Sequence, residues 1–353
     1  MNLTKAWAAQ MDDYVIGLAW SYDTRLLAAA SAAGPITVFD GATGALAHEL
    51  SGHADGTNCL AFAPDAAGIA GAGPDPASPR SAAILASGGQ DGNVRLWDAG
   101  NGVQAAEILP ASGAWVDAVA WRPAANSPVV AVTAGRKLDL LSPTGSMVHV
   151  FPDSPRTLSA LAWHPRGGAA AVASFGRVVI WDADDFRVQR EYSYGSAIEN
   201  LVWSPDGRWL VAGAQDNAVH LWIPEEDQEF HMSGYETKVR ELSFSSDSRW
   251  LATGGSRDAC VWDCTGAGPE GREPVALPHG DRVNAVAFQH AHDLLATAAN
   301  DGEVALWSLA RGESRVASVK LTAPASNLAW SPDDTLLAIG SQKGGVLVLR
   351  VDA

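Results

Sequence analysis

Two parts of the chain contain a histidine, a hydroxyl side chain and an aspartate, the residue types with which hydrolases activate a nucleophile. The two sets are His53, Ser87 and Asp91, and His279, Thr297 and Asp301. Both occupy equivalent positions of an internal repeat, where such groups typically hydrogen-bond a buried turn. The sequence also has no Gly-x-Ser-x-Gly, phosphate-loop or His-Glu-x-x-His motif. We therefore assign both sets to structure, and expect a protein that is not an enzyme, with no catalytic residue and no cofactor.

The unit that positions these residues occurs eight times along the 353 residues. Each copy begins with a short apolar run that ends in Trp or Phe, at Trp20, Phe62, Trp121, Trp163, Trp203, Phe244, Phe288 and Trp330. The spacings between these anchors are 42, 59, 42, 40, 41, 44 and 42 residues. A period near forty that is built from strands predicts a β-propeller.

Each repeat reads as a four-stranded blade. The first strand is apolar on both faces, as in Leu328-Ala329-Trp330-Ser331, which a strand between neighbouring sheets requires. A tight turn such as Pro205-Asp206-Gly207 follows. The second strand is small and apolar, as in Leu251-Ala252-Thr253-Gly254, and the third ends like Leu96-Trp97-Asp98. A more polar fourth strand, for example residues 103–108, is expected at the outer edge.

The repeats predict one all-β domain over residues 1–353, a single closed propeller. Eight blades are expected, and seven is the alternative if the weak third repeat is irregular. The last repeat has no fourth strand of its own, whereas residues 3–8 have strand-like content. We expect this N-terminal strand to close the ring as the missing outer strand, which removes an open edge. Residues 66–82 form an Ala-, Gly- and Pro-rich insertion in the second repeat, predicted to be a flexible loop that is either functional or merely tolerated.

Composition limits the partners. The formal net charge of −16 argues against sequence-independent nucleic-acid binding and against attraction to anionic membranes. We see neither a secretory signal at the start nor the roughly 20 consecutive apolar residues of a membrane span. The odd number of cysteines, Cys59, Cys260 and Cys264, favours reduced thiols. The expected location is the cytoplasm.

These repeats resemble the WD-repeat (WD40) family of β-propellers over essentially the whole chain. The resemblance implies a structural tetrad in each blade: a His before the first strand, a Ser or Thr in the second, an Asp in the next turn and the Trp of the third. The tetrad is complete in the second and seventh repeats, as His53, Ser87, Asp91 and Trp97, and as His279, Thr297, Asp301 and Trp307. The fifth repeat has Tyr194 and Ala212 in place of the His and the hydroxyl residue, and the sixth has Tyr235.

The resemblance also implies a non-catalytic protein–protein interaction scaffold, which binds a peptide or protein domain on the top face formed by the loops before the first strand and between the second and third. Aromatic and arginine side chains dominate interface energetics. The candidate partner-binding residues there are Tyr14, Trp115, Arg136, Arg156, Phe175, Tyr194, Tyr235, Lys238, Arg257, Arg282 and Lys343. Trp115 is the strongest candidate among them, and the alternative is that it packs over a neighbouring blade. For the two tyrosines of the fifth and sixth repeats, the alternative is that they replace the structural His.

Two other functions stay open. One is an enzyme or a small-ligand- or metal-binding propeller that uses the axial funnel, and the other is an accessory to a metal-handling or nucleotide-dependent enzyme. Cys264, His290 and His292 are three possible soft-metal ligands expected on one face of adjacent blades. Zinc needs three or four ligands that converge at about 2 Å, and strand spacing makes such convergence uncertain, so we assign no metal site.

Overall fold

The computed structural model describes residues 2–64, 83–109, 113–123, 128–310, 312 and 314–352. The predicted insertion at 66–82 lies outside these ranges. The described residues form 32 strands in eight antiparallel sheets of four strands each. This confirms the all-β propeller with eight blades, and the third blade, whose repeat is the weakest in sequence, is complete. No helix in the described part of the chain is long and apolar enough to cross a bilayer.

The strands are numbered β1 to β32 in chain order, and β1, Asn2–Gln10, belongs to the eighth blade. Blade 1 contains β2 to β5, over Val15–Trp20, Leu26–Ser31, Ile36–Asp40 and Leu46–Leu50. Blade 2 contains β6 to β9, over Thr57–Phe62, Ile84–Gly89, Val94–Asp98 and Val103–Ile108. Blade 3 contains β10 to β13, over Val116–Trp121, Val130–Ala134, Lys137–Leu141 and Met147–Val150. Blade 4 contains β14 to β17, over Leu158–Trp163, Ala169–Ser174, Arg177–Asp182 and Val188–Ser193.

The second half of the ring repeats this order. Blade 5 contains β18 to β21, over Ile198–Trp203, Leu210–Ala214, Val219–Ile223 and Gln228–Met232. Blade 6 contains β22 to β25, over Leu242–Phe244, Trp250–Thr253, Ala259–Asp263 and Val275–Leu277. Blade 7 contains β26 to β29, over Val283–Phe288, Leu294–Ala299, Glu303–Ser308 and Ser314–Lys320. Blade 8 contains β30 to β32, over Ala325–Trp330, Leu336–Ser341 and Gly345–Asp352, and β1 as its outer strand.

Burial follows the position of a strand within its blade. The second strands are buried along their whole length in blades 2, 3, 4, 5, 7 and 8. Because neighbouring sheets cover both of their faces, these strands contain apolar or small side chains, with a Ser or Thr in several of them. The fourth strands lie at the outer edge, and β9 and β17 are mostly exposed, which explains their polar sequences.

The first strands form the inner ring, in which each strand contacts the first strands of the two neighbouring blades. Four anchor tryptophans join adjacent blades here through the indole Nε1, which donates to a carbonyl of the preceding blade. These hydrogen bonds are Trp20 to Ala329 (3.0 Å), Trp121 to Ala61 (3.0 Å), Trp163 to Ala120 (2.9 Å) and Trp330 to Ala287 (2.9 Å). The repeating Trp is therefore both an apolar core residue and a polar link between blades.

The ring closes as predicted, by antiparallel pairing of β1 with β32. The register shifts between Lys5 and Trp7, so that a bulge separates two halves of the pairing. Trp7 is buried, and its Nε1 donates to the Gly41 carbonyl of blade 1 at 2.9 Å. Its ring lies 5.3 Å from that of Phe39. One side chain thus attaches the closing strand of blade 8 to blade 1.

We predict that Trp7→Ala destabilises the protein by about 3–5 kcal/mol, because it removes a buried aromatic ring at the closure. Leu46→Ala is the matched control, since Leu46 is 62% exposed on outer strand β5, and it should change stability by less than about 0.5 kcal/mol. Urea unfolding followed by tryptophan fluorescence measures both. Equal effects of the two substitutions would show that closure does not depend on Trp7.

Candidate interaction surface

The top face is built where the loop between the second and third strands of one blade meets the loop before the first strand of the next. Backbone hydrogen bonds join these loops, from Leu158 to Gly135 at 2.7 Å and from Ser154 to Arg136 at 2.9 Å. Gly176 of blade 4 donates in the same way to Ser196, before blade 5, at 3.1 Å. The face is a connected rim, and a side chain in one loop has neighbours from the adjacent blade.

The structure divides the eleven predicted top-face residues into two groups. Eight are exposed: Trp115, Arg136, Arg156, Phe175, Lys238, Arg257, Arg282 and Lys343. Three tyrosines are half-buried: Tyr14, Tyr194 and Tyr235.

Blades 3 and 4 carry an aromatic–arginine sector, which we define as Trp115, Arg136, Arg156 and Phe175. Trp115 is 57% and Phe175 is 59% exposed, so neither indole nor phenyl ring is covered by a neighbouring blade. Arg136 Nε donates to the Ser154 carbonyl at 2.7 Å, which holds this guanidinium on the loop before blade 4. Two large apolar side chains and two cations thus lie in solvent on adjacent blades.

Blade 2 contains the complete tetrad. Ser87 Oγ is 2.9 Å from His53 Nε2 and also accepts from Trp97 Nε1 at 2.9 Å. His53 Nδ1 is 2.8 Å from Asp91 Oδ1, and Arg95 Nη1 donates to the other Asp91 oxygen at 2.7 Å. Burial lowers the pKa of His53. Burial also opposes ionisation of Asp91, but the bonds from Arg95 and His53 outweigh it and hold the pKa of that carboxyl well below its usual range.

Blade 7 departs from the predicted tetrad at its aspartate. Thr297 Oγ1 is 2.7 Å from His279 Nε2 and accepts from Trp307 Nε1 at 2.7 Å. The other ring nitrogen of His279, Nδ1, faces Glu303 Oε2 at 3.3 Å. Asp301 instead pairs with Lys320 Nζ of the outer strand at 2.7 Å. The sequence could not distinguish the two acids, because both follow the second strand closely.

The hydroxyl groups of the half-buried tyrosines of blades 5 and 6 bond residues of their own blades. Tyr235 OH accepts from Trp262 Nε1 at 2.8 Å and lies 3.1 Å from Thr253 Oγ1, so one phenol takes the place of the histidine. Tyr194 OH donates to Asp216. Ala212 offers no hydroxyl, however, and Trp222 Nε1 is buried without a hydrogen-bond partner.

Blade 5 also buries a histidine that sequence reasoning missed. His220 is 7% exposed, and neither ring nitrogen makes a hydrogen bond. The rings of Tyr194 and His231 lie 3.9 and 4.5 Å away, and the nearest Glu229 oxygen is 3.6 Å from Nδ1. Burial, with a smaller contribution from His231, lowers the pKa of His220 to about 4. This imidazole is therefore neutral near pH 7.

The three weak metal candidates lie in different settings. His290 Nδ1 is 2.9 Å from Asp334 Oδ1, which links blade 7 to blade 8. Cys264 is buried in the core between blades 5 and 6, where burial raises the pKa of its thiol to about 12. His292 is exposed. In the described ranges, no three His, Cys, Asp or Glu side chains are grouped so that they could hold a metal ion.

A cavity of about 330 Å³ opens on the top face at the propeller axis. Its lower wall comes from the first strands of blades 5, 6, 7, 8 and 1, through Asn200, Leu242, Asn284, Asn327 and Ile16. Its rim comes from top-face loops, through Tyr14, Arg240, Arg282 and Gln342. The sequence prediction included Tyr14 and Arg282 but missed Arg240 and the asparagines. The sequence does mark the asparagines, because each is a polar residue near the start of an otherwise apolar first strand, as in Val283–Phe288.

Two family models match the chain. One is described as WD domain, G-beta repeat, and it matches residues 44–98, 188–222 and 227–263. The other is the anaphase-promoting complex subunit 4 WD40 domain, and it matches residues 1–65 and 286–353. Together they include both ends of the chain and three of the interior repeats.

Known proteins show the same similarity. Telomerase protein component 1 of Mus musculus is 26% identical over 204 residues, 56% of this chain and 6% of that protein. A target of rapamycin complex subunit of Schizosaccharomyces pombe is 28% identical over 42% of this chain and 51% of its own length. Echinoderm microtubule-associated protein-like 2 of Rattus norvegicus is 27% identical over 77% of this chain and 40% of its own length. The chain spans about half or less of each of these curated relatives. A computationally designed protein of known crystal structure, 20% identical, shares the fold with a TM-score of 0.77 over 97% of this chain and 98% of that one.

We predict that Ser87→Ala destabilises the protein by about 1–3 kcal/mol, because it leaves His53 Nε2 and Trp97 Nε1 buried without the hydroxyl group that both bond. The reverse change in blade 5, Ala212→Ser, places a hydroxyl where Trp222 has none. It should be neutral or stabilise by up to about 1 kcal/mol. Thermal and urea unfolding measure both variants. Equal destabilisation by both substitutions would mean that any substitution in a buried second strand lowers stability, whether or not it removes a hydroxyl group.

We predict an acid-sensitive contribution from His220. Its pKa is about 4 in the folded protein against an ordinary value of 6.5, so between these values the unfolded chain binds the extra proton. The free energy of unfolding must therefore fall as the pH decreases through this window. His220→Phe keeps an aromatic ring but removes the titrating group. The dependence of the unfolding free energy on pH should therefore weaken by up to the equivalent of one bound proton. Urea unfolding at a series of pH values between the two pKa values tests this, and an unchanged slope would contradict it.

Proposed function

Because the chain belongs to the WD-repeat family of β-propellers, we propose that it is a non-catalytic scaffold that binds a peptide or a protein domain on its top face. Relatives described as a component of telomerase and a subunit of a target of rapamycin complex support a role in protein assemblies. Fold and family indicate how such a chain binds, and the partner's identity must come from the site.

The aromatic–arginine sector is the observation that carries this proposal. Exposed tryptophan and phenylalanine rings of this size are costly to leave in water and are among the strongest interface anchors when a partner covers them. Arg136 and Arg156 add forked donors on the same two blades. Trp115, Arg136, Arg156 and Phe175 follow one another around the rim of blades 3 and 4, which suits a single continuous partner segment or domain surface.

The buried tetrads support the proposal that the scaffold is non-catalytic. Ser87 Oγ already accepts from Trp97 and bonds His53, and the serine is fully buried. A hydroxyl in that position has no path to a substrate, since an acyl or phosphoryl group would have to enter the blade core. The same argument applies to Thr297, which is 0% exposed and bonds His279 and Trp307.

The net charge and the cysteine thiols indicate which partner and which location to expect. A net charge of −16 disfavours nucleic acid and anionic membranes as partners. Cys59, Cys260 and Cys264 are free thiols, and burial raises their pKa values to between about 11 and about 12. Such thiols are protonated and poorly nucleophilic at neutral pH. We propose a protein partner in the cytoplasm.

We predict that Trp115→Ala combined with Phe175→Ala abolishes capture of stoichiometric partners from the protein's own cell extract. The double variant should keep the native unfolding temperature, because both side chains are exposed. Quantitative mass spectrometry after affinity capture measures the loss. Leu46→Ala with Val103→Ala is the matched control, since these side chains are 62% and 57% exposed on outer strands. Partners that the Trp115 and Phe175 variant retained would place the interface elsewhere, and equal loss from both double variants would show an effect that is not specific to this surface.

A further inference from the structure

Blade 2 fills the space near its third-strand tryptophan with an arginine of its own. Arg95 lies two residues before Trp97 on β8. Its guanidinium group pairs with Asp91 at 2.7 Å and with Glu107 of the outer strand at 3.1 Å, and its side chain is only 13% exposed. A cation is thus enclosed between two carboxylates of the same blade.

Blade 7 places an arginine beside the equivalent tryptophan, although from a different strand. Arg315 lies on the outer strand β29, and its Cζ is 4.8 Å from the centre of the Trp307 ring. Its Nη1 donates to Glu303, four residues before Trp307, and its Nη2 donates to the Pro278 carbonyl at 2.8 Å. Two blades therefore combine a tryptophan, a carboxylate and a guanidinium group.

Blade 6 keeps the tryptophan and the carboxylate but has no arginine at either of these positions. Asp258 is four residues before Trp262, which is the spacing of the acid in blade 7. Cys260 stands where blade 2 has its arginine, and Ala276, its partner on the outer strand, stands where blade 2 has the glutamate. The outer strand begins only at Val275, so none of its residues pairs with Trp262. Small side chains thus replace the enclosed ion pair.

A cavity of about 370 Å³ lies at this place in blade 6, and pockets for small ligands typically measure about 300–1,000 Å³. Its walls come from the top-face loops of the blade, from Cys260 and Trp262 of the third strand and from Pro274 before the outer strand. None of its lining residues belongs to a first strand, so this blade 6 cavity is separate from the axial one. The Tyr235 hydroxyl and the Trp262 indole N–H bond each other, so both rings contribute apolar surface.

The charges around the blade 6 cavity favour a cation. The Glu236 and Asp258 carboxylates line it, and neither has an ion-pair partner in the described part of the chain. Arg257 is the single cation of the lining, and its Nε donates to a backbone carbonyl of the loop before blade 7 at 3.4 Å. Lys238, on the same loop as Glu236, is paired with Glu199 at 3.2 Å. The lining therefore has one net negative charge, and the chain's net charge of −16 attracts cations from a distance.

We propose that the blade 6 cavity binds the guanidinium group of an arginine side chain from a partner protein, at the place where blades 2 and 7 hold their own arginines. A guanidinium group makes forked hydrogen bonds to carboxylates such as Glu236 and Asp258, and it packs against aromatic rings. Free arginine carries a carboxylate of its own, which these two acids repel, so an arginine within a chain segment is the better ligand. As a contact with a partner, the inference rests on the proposed scaffold function.

The test uses the full chain, labelled with ¹⁵N at its 14 tryptophans, and the acetylated and amidated peptide Gly-Ser-Arg-Ser-Gly. The NMR signal of the Trp262 indole N–H, the one tryptophan of the lining, should shift in a saturable way, and binding should weaken as NaCl is added. Glu236→Gln with Asp258→Asn should reduce affinity by about tenfold or more. Glu49→Gln with Asp55→Asn is the matched control, because it removes the same charge at exposed sites outside the lining. The control should bind as the native protein does.

A second variant gives blade 6 the ion pair of blade 2. Cys260→Arg with Ala276→Glu joins the third and outer strands by a pair of opposite charges and leaves the net charge unchanged. The cavity then contains a guanidinium group of the chain itself, so the peptide should no longer bind although Glu236 and Asp258 are still present. A folded variant that bound the peptide with native affinity would overturn the proposal.

Three further ligands identify the chemistry. A citrulline peptide, which keeps the shape of arginine without its charge, should not bind, and a lysine peptide should bind more weakly. Equal affinity for the lysine peptide, tighter binding of free L-arginine, or equal weakening by the cavity and control variants would overturn the assignment. Partner capture that depends on Trp115 and Phe175 while the arginine peptide does not bind would refute this inference alone. Peptide binding without captured partners would refute the scaffold function.

Discussion

Ring closure is the constraint on which the rest of the structure depends. Each blade alone has an apolar face on either side, and it is stable only when neighbours cover both. The pairing of β1 with β32 makes the first and last blades neighbours. Trp7, bonded to Gly41 of blade 1, and Trp20, bonded to Ala329 of blade 8, hold that junction together. With it in place, the second strands are buried all round the ring, and the top-face loops acquire fixed neighbours.

The blades keep their packing while their internal hydrogen bonds vary. Blade 2 has the full His53, Ser87, Asp91 and Trp97 network, whereas blade 7 uses Glu303 beside its histidine. Blade 6 replaces the histidine with a tyrosine, and blade 5 leaves Trp222 without an acceptor. Unpaired buried donors are costly, so blade 5 must obtain its stability from aromatic packing. Tyr192 stacks on Trp222 there, with ring centroids 5.2 Å apart.

Polar side chains on this propeller serve two separate purposes. Inside the blades and along the first strands they connect one strand to the next, as Asn284 does with Ala325. At the top-face rim they are exposed to solvent, as Arg240 and Arg282 are. Asn284 donates through Nδ2 to the Ala325 carbonyl of the next blade and accepts from Arg282 through Oδ1, so the rigidity of the ring extends to its surface. A scaffold benefits from this arrangement, because pre-organised anchors lose less entropy on binding.

The sequence by itself determined the strands, the eight blades and the closing strand. Those features follow from local patterns: a repeat near forty residues, apolar runs that end in Trp or Phe, turn residues and a missing fourth strand. The roles of individual polar residues were decided only by tertiary structure. Asp301 pairs with Lys320 of the outer strand rather than with His279, and Tyr235 bonds both Thr253 and Trp262. Likewise Arg240 and Arg282 line one cavity because blades 6 and 7 are neighbours in the ring, although the two residues lie in separate repeats. Such juxtapositions depend on the direction of each side chain and on contacts between repeats, which spacing along the chain does not encode.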